Sequence, residues 1–452
     1  MTARQQVDTL LDLIKTSAYQ ALDEYEKYGG AVPSLDSLTA HPLDGFMDFR
    51  TMQLKKFVRK LEGACDQLCT TLAPPLHTLS NRAHDTYWAA LRTASKLEIA
   101  DIIASSEKGR LHTAEISHRI QADENKIASI MRLLATRHCF KEVSKNVFAN
   151  NRLSIRLASK SPISAWIDIL TKDPINGGLH LYDSLQDPEY ALSTGAEKSP
   201  CMYARRSKRQ TGSVYNMISS DATYSETLGG SMIALSTIQS SLTILQVYPW
   251  ERYKTVCDVG SGVGFFCWNL LSSFPSITVT LHDLPETTTL AEKIWGTDYP
   301  DHVADKRVKF APGNFLELVP VEGQDVYYIK NVIHNWPDAD VISILKSVSK
   351  AMSPKSRVVI QDYVMQHLYR EPGKEDDQGF QMDVAEEPLL PNYGAGQVRL
   401  YNQNMTMMLV FNAKERTFDE VNYLCSQAGL LLLKVWDVGE QSALEYIKKD
   451  HW

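Results

Sequence analysis

The stretch from Val256 to Pro285 reads VCDVGSGVGFFCWNLLSSFPSITVTLHDLP and decides the fold. A short apolar run leads into Asp258, three glycines follow, and the next apolar segment is long enough for a helix. The alternating, β-branched run from Ile277 to Leu281 predicts a second strand, which closes on Asp283. This order of strand, tight loop, helix and strand predicts one βαβ unit of a doubly wound fold.

The glycines of this stretch indicate a ligand site. Glycine permits a turn in which the backbone comes against a ligand, and the following helix directs its free N–H groups towards that ligand. Asp283 lies 19 residues beyond Gly264, near the spacing of about 20 at which an acidic residue accepts from a ribose diol. A dinucleotide is disfavoured because its fingerprint is G-x-G-x-x-G. Here Gly260, Gly262 and Gly264 run G-x-G-x-G, so we expect a nucleoside or nucleotide site.

Length and composition bound the class of protein. At 452 residues the chain is too long for one compact core, so about two or three domains are expected. The net charge of -7 argues against a surface that binds nucleic acid. No apolar run reaches the length of a membrane span. Seven cysteines without a pairing framework, and no apolar leader, indicate a reducing compartment, so we expect a cytoplasmic protein.

A winged helix-turn-helix pattern follows the first helices. Thr113 is expected to cap a helix that ends at Ile120. Asp123 caps a second predicted helix over Glu124–Thr136, and Phe140–Phe148 forms a two-stranded wing. Such a module can bind DNA, but the second helix has few basic residues, which favours a packing or dimerisation role.

Helices dominate the rest of the N-terminal half. The segment over Thr86–Ile103 is apolar around most of its circumference, so it must be buried in its own domain or against a partner subunit. The segment from Asp173 to Gln210 is rich in Gly, Pro, Ser and charge and resembles a long excursion or lid. The predicted helices cover residues 1–30, 48–72, 86–103, 162–172 and 213–245.

Strands and helices alternate from Val256 to the end, which predicts a sheet with helices on both faces. We expect an α/β protein with a C-terminal Rossmann-like domain, doubly wound around a mostly parallel sheet, and an N-terminal all-helical and winged-helix dimerisation domain. The predicted segments are a helical dimerisation region (1–110), a winged-helix-like module (111–160), a helical linker with a lid or substrate region (161–245) and the Rossmann-like domain (246–452).

Polar side chains follow the predicted strands at the edge of the sheet where ligands bind. Asn314 could hold a base edge and Phe315 could stack against it, although a turn role for Asn314 is equally open. His334 could remove a proton from a hydroxyl, although a lone histidine is more often structural. Asp362 and Glu415 could orient its imidazole.

Motifs spread over nearly the whole chain carry a resemblance. They are DVGSGVG at Asp258, HDLP at His282, GNF at Gly313, KNVIHNWPD at Lys330 and NAKERT at Asn412. In this order they resemble the S-adenosylmethionine-dependent O-methyltransferases that act on small molecules of plants and fungi. The likeness is weakest between residues of about 170 and 212.

The resemblance implies S-adenosylmethionine as cofactor and assigns roles to single positions. Asp283 would take the ribose hydroxyls, Leu284 and Phe315 would flank the adenine, and His334 would be the general base. Asp362 and Glu415 would position that base, and no metal is implied. The implied cofactor-binding residues are Asp258, Gly260, Gly262, Gly264, Asp283, Leu284, Asn314, Phe315 and Lys330.

Two positions depart from the family's pattern. Asn314 stands where the family usually has Asp, and it accepts from an adenine amine more weakly than a carboxylate does. Asp362 stands where Glu is usual, so its contact with His334 would be lost or relayed by water. Both departures put methyl transfer in doubt more than cofactor binding.

A second enzyme class therefore stays open. Some fungal proteins similar to this family keep the cofactor without transferring a methyl group, and catalyse dehydration and pericyclic ring formation. In that case Lys330 would polarise a substrate carbonyl beside the sulfonium charge. The presence of His334 favours methyl transfer, whereas the substituted acids favour the alternative.

The resemblance also bears on substrate and partners. It implies a small-molecule substrate and, together with the apolar N-terminal helices, a homodimer. Net charge and the lack of a long apolar run are the reasons to expect no nucleic-acid or membrane partner. A winged-helix regulator that senses S-adenosylmethionine is a third hypothesis, which the acidic net charge disfavours. The predicted substrate-facing residues, for which a plain core role is equally open, are Trp166, Met405, Met408 and Phe411.

Overall fold

The computed structural model describes residues 2–45, 48–159, 161–206, 212–370 and 383–449. The chain forms two compact units. The first comprises Met1–Phe46 and Lys60–Ile238, and the second comprises Met47–Arg59 and Gln239–Trp452. The division into four functional segments stays a prediction.

A mixed sheet organises the second unit. Within the described ranges its seven strands follow the order β11-β12-β8-β7-β4-β5-β6. The five from β8 to β6 are parallel, and β12 runs antiparallel to both β8 and β11. Two further short strands, β9 and β10, pair with each other in parallel. The strands are β4 (Thr255–Val259), β5 (Thr278–Asp283), β6 (Val308–Pro312), β7 (Val326–Lys330), β8 (Arg357–Asp362), β9 (Val364–Met365), β10 (Arg416–Thr417), β11 (Leu430–Asp437) and β12 (Ser442–Lys448).

Helices cover both faces of this sheet, because consecutive residues of its inner strands are apolar and point to opposite faces. On β7, Tyr327 and Ile329 join one buried apolar cluster, and Val326 and Tyr328 join another. The α/β fold class predicted from the sequence is confirmed. The helices of this unit are α14 (Ile244–Val247), α15 (Phe265–Ser273), α16 (Pro285–Asp298), α17 (Pro300–Ala304), α18 (Asp338–Ala351), α19 (Val398–Phe411) and α20 (Phe418–Gln427).

The first unit is helical apart from a small antiparallel sheet. That sheet has the order β1-β3-β2, with β1 at Arg110–His112, β2 at Lys141–Ser144 and β3 at Val147–Ala149. The predicted wing is therefore confirmed. The helices, of which α2 begins in the second unit, are α1 (Ala3–Gly29), α2 (Met52–Leu72), α3 (Pro75–Ala83), α4 (Tyr87–Lys96), α5 (Ile99–Ala104), α6 (Thr113–Ile120), α7 (Glu124–Thr136), α8 (Pro162–Leu170), α9 (Asp173–Leu179), α10 (Leu181–Gln186), α11 (Pro200–Tyr203), α12 (Val214–Ser220) and α13 (Ala222–Gln239).

Helix boundaries in this unit differ from prediction in places. The cap predicted at Thr113 is wrong by one residue, because Nδ1 of His112 accepts from the Ala114 amide at 3.1 Å. The predicted helix over Thr86–Ile103 breaks into α4 and α5, since Glu98 adopts a φ of 51°. The helix predicted over 213–245 likewise divides into α12, α13 and α14. Asp123 does cap α7, as predicted.

The segment over Asp173–Gln210, predicted to be a long excursion or lid, is largely helical where the structure describes it, and its role as a lid stays a prediction. Helices α9, α10 and α11 lie within it. Pro174 and Pro200 occupy the first turns of α9 and α11, where a missing N–H costs nothing. Buried Asp173 accepts from the Tyr224 hydroxyl at 2.5 Å and fixes α9 to α13. Residues 207–210 lie outside the described residues.

No single helix in the described ranges is long and apolar enough to cross a membrane. By length and composition alone, the bent pair formed by α13 and the helical segment after it would be long and apolar enough.

Candidate active site

The candidate site lies where the parallel strands of the second unit end. The carboxyl ends of parallel strands meet at one edge of a sheet, which is where α/β proteins bind ligands. The loop after β4 and the turn after β7 both leave this edge. Two groups of residues are formed there, which we call the glycine loop (Gly260 to Gly264) and the histidine cluster (His334, Asp362 and Glu415).

The glycine loop depends on backbone shapes that other residues rarely adopt. Gly260, Gly262 and Gly264 have φ values of 75°, 55° and 85°. A Cβ on Gly260 would meet Val332 at 2.7 Å, whereas a Cβ on Gly262 would meet nothing within 4 Å. The Gly262 amide donates to Oδ2 of Asp283 at 2.8 Å. The loop thus leaves open space beside Gly262, with an oriented carboxylate next to it.

A buried acid and a lysine lie beneath this loop. Asp258 is only 4% exposed, and its Oδ2 accepts from the Cys267 thiol at 3.4 Å. Burial raises the pKa of Asp258 to about 7, although Cys267 and Lys330 oppose the rise. Lys330, the last residue of β7, is partly exposed as a residue, but burial of its ammonium lowers its pKa to about 8, against the attraction of Asp258 and Asp362. The lysine therefore interacts with the acid under the glycine loop and with an acid of the histidine cluster.

The histidine cluster joins three segments that are far apart in sequence. His334 lies in a short 3-10 turn, Ile333–Asn335, after β7. Its Nδ1 lies 2.9 Å from Oε1 of Glu415 and 3.1 Å from Oδ1 of Asp362. All three residues are buried. The structure thus brings together the three residues that the sequence assigned to one catalytic group.

The expected loss of contact between Asp362 and His334 is wrong. The pairing of Lys330 with Gln361 in the β7–β8 register brings the end of β8 beside the turn that carries His334. The shorter side chain therefore reaches the imidazole directly. The Nδ1 proton is directed to Glu415, however, and neither oxygen of Asp362 has a hydrogen-bond partner among the described residues.

The cluster favours a protonated imidazole. Burial alone lowers the pKa of His334, but the attraction of Asp362 and Glu415, together with the hydrogen bond to Glu415, outweighs it and raises the pKa well above the usual range. Burial raises the pKa of Glu415, which His334 partly offsets. In the described part of the chain Nε2 of His334 makes no hydrogen bond, so this nitrogen is the one left for a ligand.

The same three side chains could also hold a metal ion. One potential ligand atom from each lies within 4.8 Å of the others. The two short Nδ1 to carboxylate distances are those of a hydrogen bond and an ion pair, which a proton on Nδ1 explains. The absence of a metal stays a prediction.

The remaining predicted site residues lie in several places. Asn314 makes local turn contacts, since its Oδ1 accepts from the Leu316 amide at 3.0 Å. Leu284 is 43% exposed, and Phe315 packs edge-on against Trp336. Met405, Met408 and Phe411 lie on α19, and Trp166 lies on α8 of the first unit. The roles of all these residues stay predictions.

Two residues that position the histidine cluster were missed from the sequence. Arg416 is 2% exposed, and its guanidinium donates to the carbonyls of Ile333 and Trp336 at 2.6 Å each. It therefore clamps the turn that carries His334. Asn404 of α19 accepts from the Glu415 amide at 2.9 Å. The sequence signal for Arg416 was its position directly after Glu415, a candidate acid.

A third missed feature is a buried amide chain beside Lys330. Tyr328 donates its hydroxyl to Gln361 at 2.7 Å, and Gln361 donates to Gln441 at 3.0 Å. Gln441 in turn donates to Oδ1 of Asn331 at 2.6 Å. The chain ties the end of β8 to the residue after β7. A glutamine in the otherwise apolar run of β8 was its sequence signal.

Comparisons with known proteins agree with the motifs. Residues 86–160 match the O-methyltransferase dimerisation domain, and residues 194–388 match the O-methyltransferase domain. The 3-O-methyltransferase 2 of Phanerochaete chrysosporium is 35% identical over 445 residues, which cover 97% of this chain and 96% of that protein.

Solved structures share the fold. The mitomycin 7-O-methyltransferase MmcR has a TM-score of 0.65 at 21% identity, over 83% of this chain and 98% of that one. A pericyclic reaction enzyme also has a TM-score of 0.65, at 18% identity, over 87% of this chain and 94% of that one. At such identities these two likenesses concern the fold alone. Because the chain is 35% identical to the fungal relative over 97% of its length, it belongs to the family of S-adenosylmethionine-dependent O-methyltransferases.

Proposed function

We propose that this enzyme methylates a phenolic or enolic hydroxyl of a small secondary metabolite, with His334 as the general base. One observation carries the proposal: Nδ1 of His334 faces two buried carboxyl groups, while Nε2 makes no hydrogen bond within the described residues. A base whose far nitrogen is held by a carboxylate is the usual arrangement for taking a proton from a hydroxyl.

The glycine loop and its neighbours fit the cofactor. The open space at Gly262 allows a ligand to approach the backbone, and Asp283 offers a carboxylate there for a ribose diol. Buried Asp258 adds negative charge that suits a cationic ligand. Leu284 and Phe315 would flank the adenine, and Asn314 could turn its amide to the base edge. When bound, S-adenosylmethionine supplies the electrophilic methyl group.

The chain's own residues would hold the substrate and take its proton. Nε2 of His334 would accept the hydroxyl proton while Glu415 holds the Nδ1 proton, and the substrate oxygen would attack as it loses the proton. Asp362 would stabilise the imidazolium that results. Arg416 would keep the turn in place, so that the imidazole meets the hydroxyl in one orientation.

Substrate and assembly follow from the same proposal. Met405 and Met408 lie on α19, the helix whose Asn404 holds the Glu415 backbone, so we propose that they line the substrate space. The dimerisation domain at residues 86–160 supports a homodimer.

The test is a labelled-cofactor assay. The whole chain would be incubated with methyl-labelled S-adenosylmethionine and a panel of phenols, enols and hydroxypyridones, with and without a chelator. We expect one methyl on the product for each demethylated cofactor, no effect of the chelator, and loss of turnover in His334→Ala. A substrate that is dehydrated or cyclised without cofactor consumption, with Lys330→Ala as the damaging change, would replace this proposal by the pericyclase alternative.

A further inference from the structure

The histidine cluster holds a proton that the proposed reaction must first remove. Its imidazole faces two buried carboxyl groups, and a protonated histidine cannot accept the proton of a hydroxyl. In the structure without ligand, the favoured state of His334 is therefore an acid. Some other event has to convert it into a base before each turnover.

We propose that binding of the S-adenosylmethionine cation displaces a proton from Nε2 of His334 to water, whereas binding of the neutral thioether product does not. This inference rests on the proposed function. Cofactor binding then leaves a neutral imidazole with its proton on Nδ1, held by Glu415, and a free electron pair on Nε2. The enzyme thereby makes its base only when a methyl donor is present.

Charge balance in a shared site supports this inference. Asp362 interacts with both His334 and Lys330, and Lys330 interacts with Asp258 below the glycine loop. One continuous set of charges therefore joins the proposed cofactor space to the proposed base. A second cation in that space competes with the proton on His334 for the same carboxylates. The titratable or charged groups that act on the cluster or on these neighbours are Asp258, Cys267, Asp283, Tyr328, Lys330, Asp362, Tyr363, Glu415 and Arg416.

The proposed reaction limits the distance between the two cations, which are the sulfonium of the cofactor and the imidazolium of His334. A base that takes the proton of an attacking hydroxyl must lie within about 8 Å of the sulfonium. At that distance one added charge lowers the proton affinity of a site inside a protein by about thirtyfold. No hydrogen bond within the described residues neutralises the oxygens of Asp362, so their charge acts on both His334 and Lys330.

Isothermal titration calorimetry on the whole chain tests the inference. Titration of S-adenosylmethionine and of S-adenosylhomocysteine in buffers of different ionisation enthalpy gives the protons released by each, from about pH 6 to about pH 9.5. We expect more proton release with S-adenosylmethionine, by about 0.7 of a proton at the pH of the maximum for a thirtyfold change in proton affinity. The ratio of the two Kd values should shift in favour of S-adenosylmethionine as pH rises, by at most about fivefold per pH unit.

Variants separate His334 from the other titratable groups. His334→Gln should abolish most of the difference between the two ligands, while the matched change at exposed His77, His77→Gln, should leave it intact. Glu415→Gln should move the proton release to lower pH, because one of the carboxyl groups that favour the imidazolium is gone. This second variant decides the matter if His334→Gln does not fold.

Each outcome has a distinct meaning. Equal proton release by both ligands across the pH range, or a difference that persists in His334→Gln, overturns the inference, because the cofactor's charge would then not control the proton on His334. Cofactor binding and methyl transfer, which the labelled-cofactor assay measures, would be unaffected by that result. If S-adenosylmethionine does not bind at all, the proposed function and this inference both fail.

Discussion

The glycine loop and the histidine cluster lie at the same edge of one sheet but are built differently. The glycine loop works through its backbone, since positive φ values and a missing side chain at Gly262 create its open space. The histidine cluster works through side chains brought from three separate segments. In the proposed function, the glycine loop would select the cofactor by shape, and the histidine cluster would determine where a proton resides.

The pKa values of two buried cations, Lys330 near the glycine loop and His334 of the histidine cluster, shift in opposite directions. Burial lowers the pKa of Lys330 to about 8, because its acids only partly offset the loss of water. Burial also lowers the pKa of His334, but two carboxyl groups in contact with Nδ1 more than compensate. The difference teaches that two carboxyl groups in contact with the His334 imidazole outweigh its burial, whereas the acids that act on Lys330 do not outweigh the burial of the ammonium.

The largest expected effect is at the histidine cluster. His334→Ala should lower kcat by about 10²- to 10⁴-fold, because the acceptor of the hydroxyl proton is removed. Affinity for S-adenosylmethionine should change little, since the glycine loop is untouched. Steady-state kinetics with calorimetric Kd values would measure both. A parallel loss of cofactor affinity would show that the two regions do not work separately.

The contrast between the regions also explains what the sequence could predict. The glycine loop lies within one contiguous stretch, so its turn, its helix and Asp283 follow from local patterns. The histidine cluster joins His334 to Glu415, 81 residues later, and no local pattern connects them. General reasoning about bases made Glu415 a candidate partner, and the family resemblance assigned it that role. The direct contact of Asp362 was misjudged because it depends on the β7–β8 register, which no local pattern gives. The role of Arg416 was not predicted for the same reason, since the carbonyls that accept its hydrogen bonds are far away in sequence.

A smaller effect is expected at the acid that holds the base. Glu415→Gln should lower kcat by about 10- to 100-fold, because the Nδ1 proton loses its charged acceptor. The carboxyl groups raise the pKa of His334, so activity that needs neutral imidazole falls as pH drops through that value. Removing one carboxyl lowers the pKa, and the acid limb of the kcat profile should move to lower pH. An unmoved limb would mean that another group controls it.

A still smaller fall in kcat is expected when Arg416, which holds the turn that carries His334, is changed. Arg416→Lys keeps the charge but cannot reach both carbonyls in a fixed fork, so His334 should lose its single orientation. We expect a fall in kcat of about tenfold with an unchanged Kd for the cofactor. Lys414→Arg, two residues away on the partly exposed Lys414 to Glu420 pair, is the matched control. An unchanged pH profile together with reduced kcat would identify Arg416 as a positioning residue.

The smallest effects on catalysis are expected at the glycine loop. Substitutions there test whether Gly260 is packed against Val332 while Gly262 faces open space. Gly260→Ala forces a Cβ against Val332 at an unfavourable φ, so the free energy of unfolding should fall by about 2 to 3 kcal/mol. Gly262→Ala meets no atom within 4 Å and should cost only about 1 kcal/mol from its backbone. Gly296→Ala, at an open position inside α16, should instead stabilise by up to about 1 kcal/mol.

The affinity for S-adenosylmethionine should respond most at Gly262. Urea denaturation gives the stabilities, and calorimetry gives Kd for each variant. Because the Cβ of Gly262→Ala would enter the open space proposed for the cofactor, we expect a several-fold weaker Kd despite a small loss of stability. Equal Kd values for Gly262→Ala and Gly296→Ala would place the cofactor elsewhere along this edge. The glycine loop would then be a structural turn, and selection by shape would have to be sought at Asp283 and Leu284.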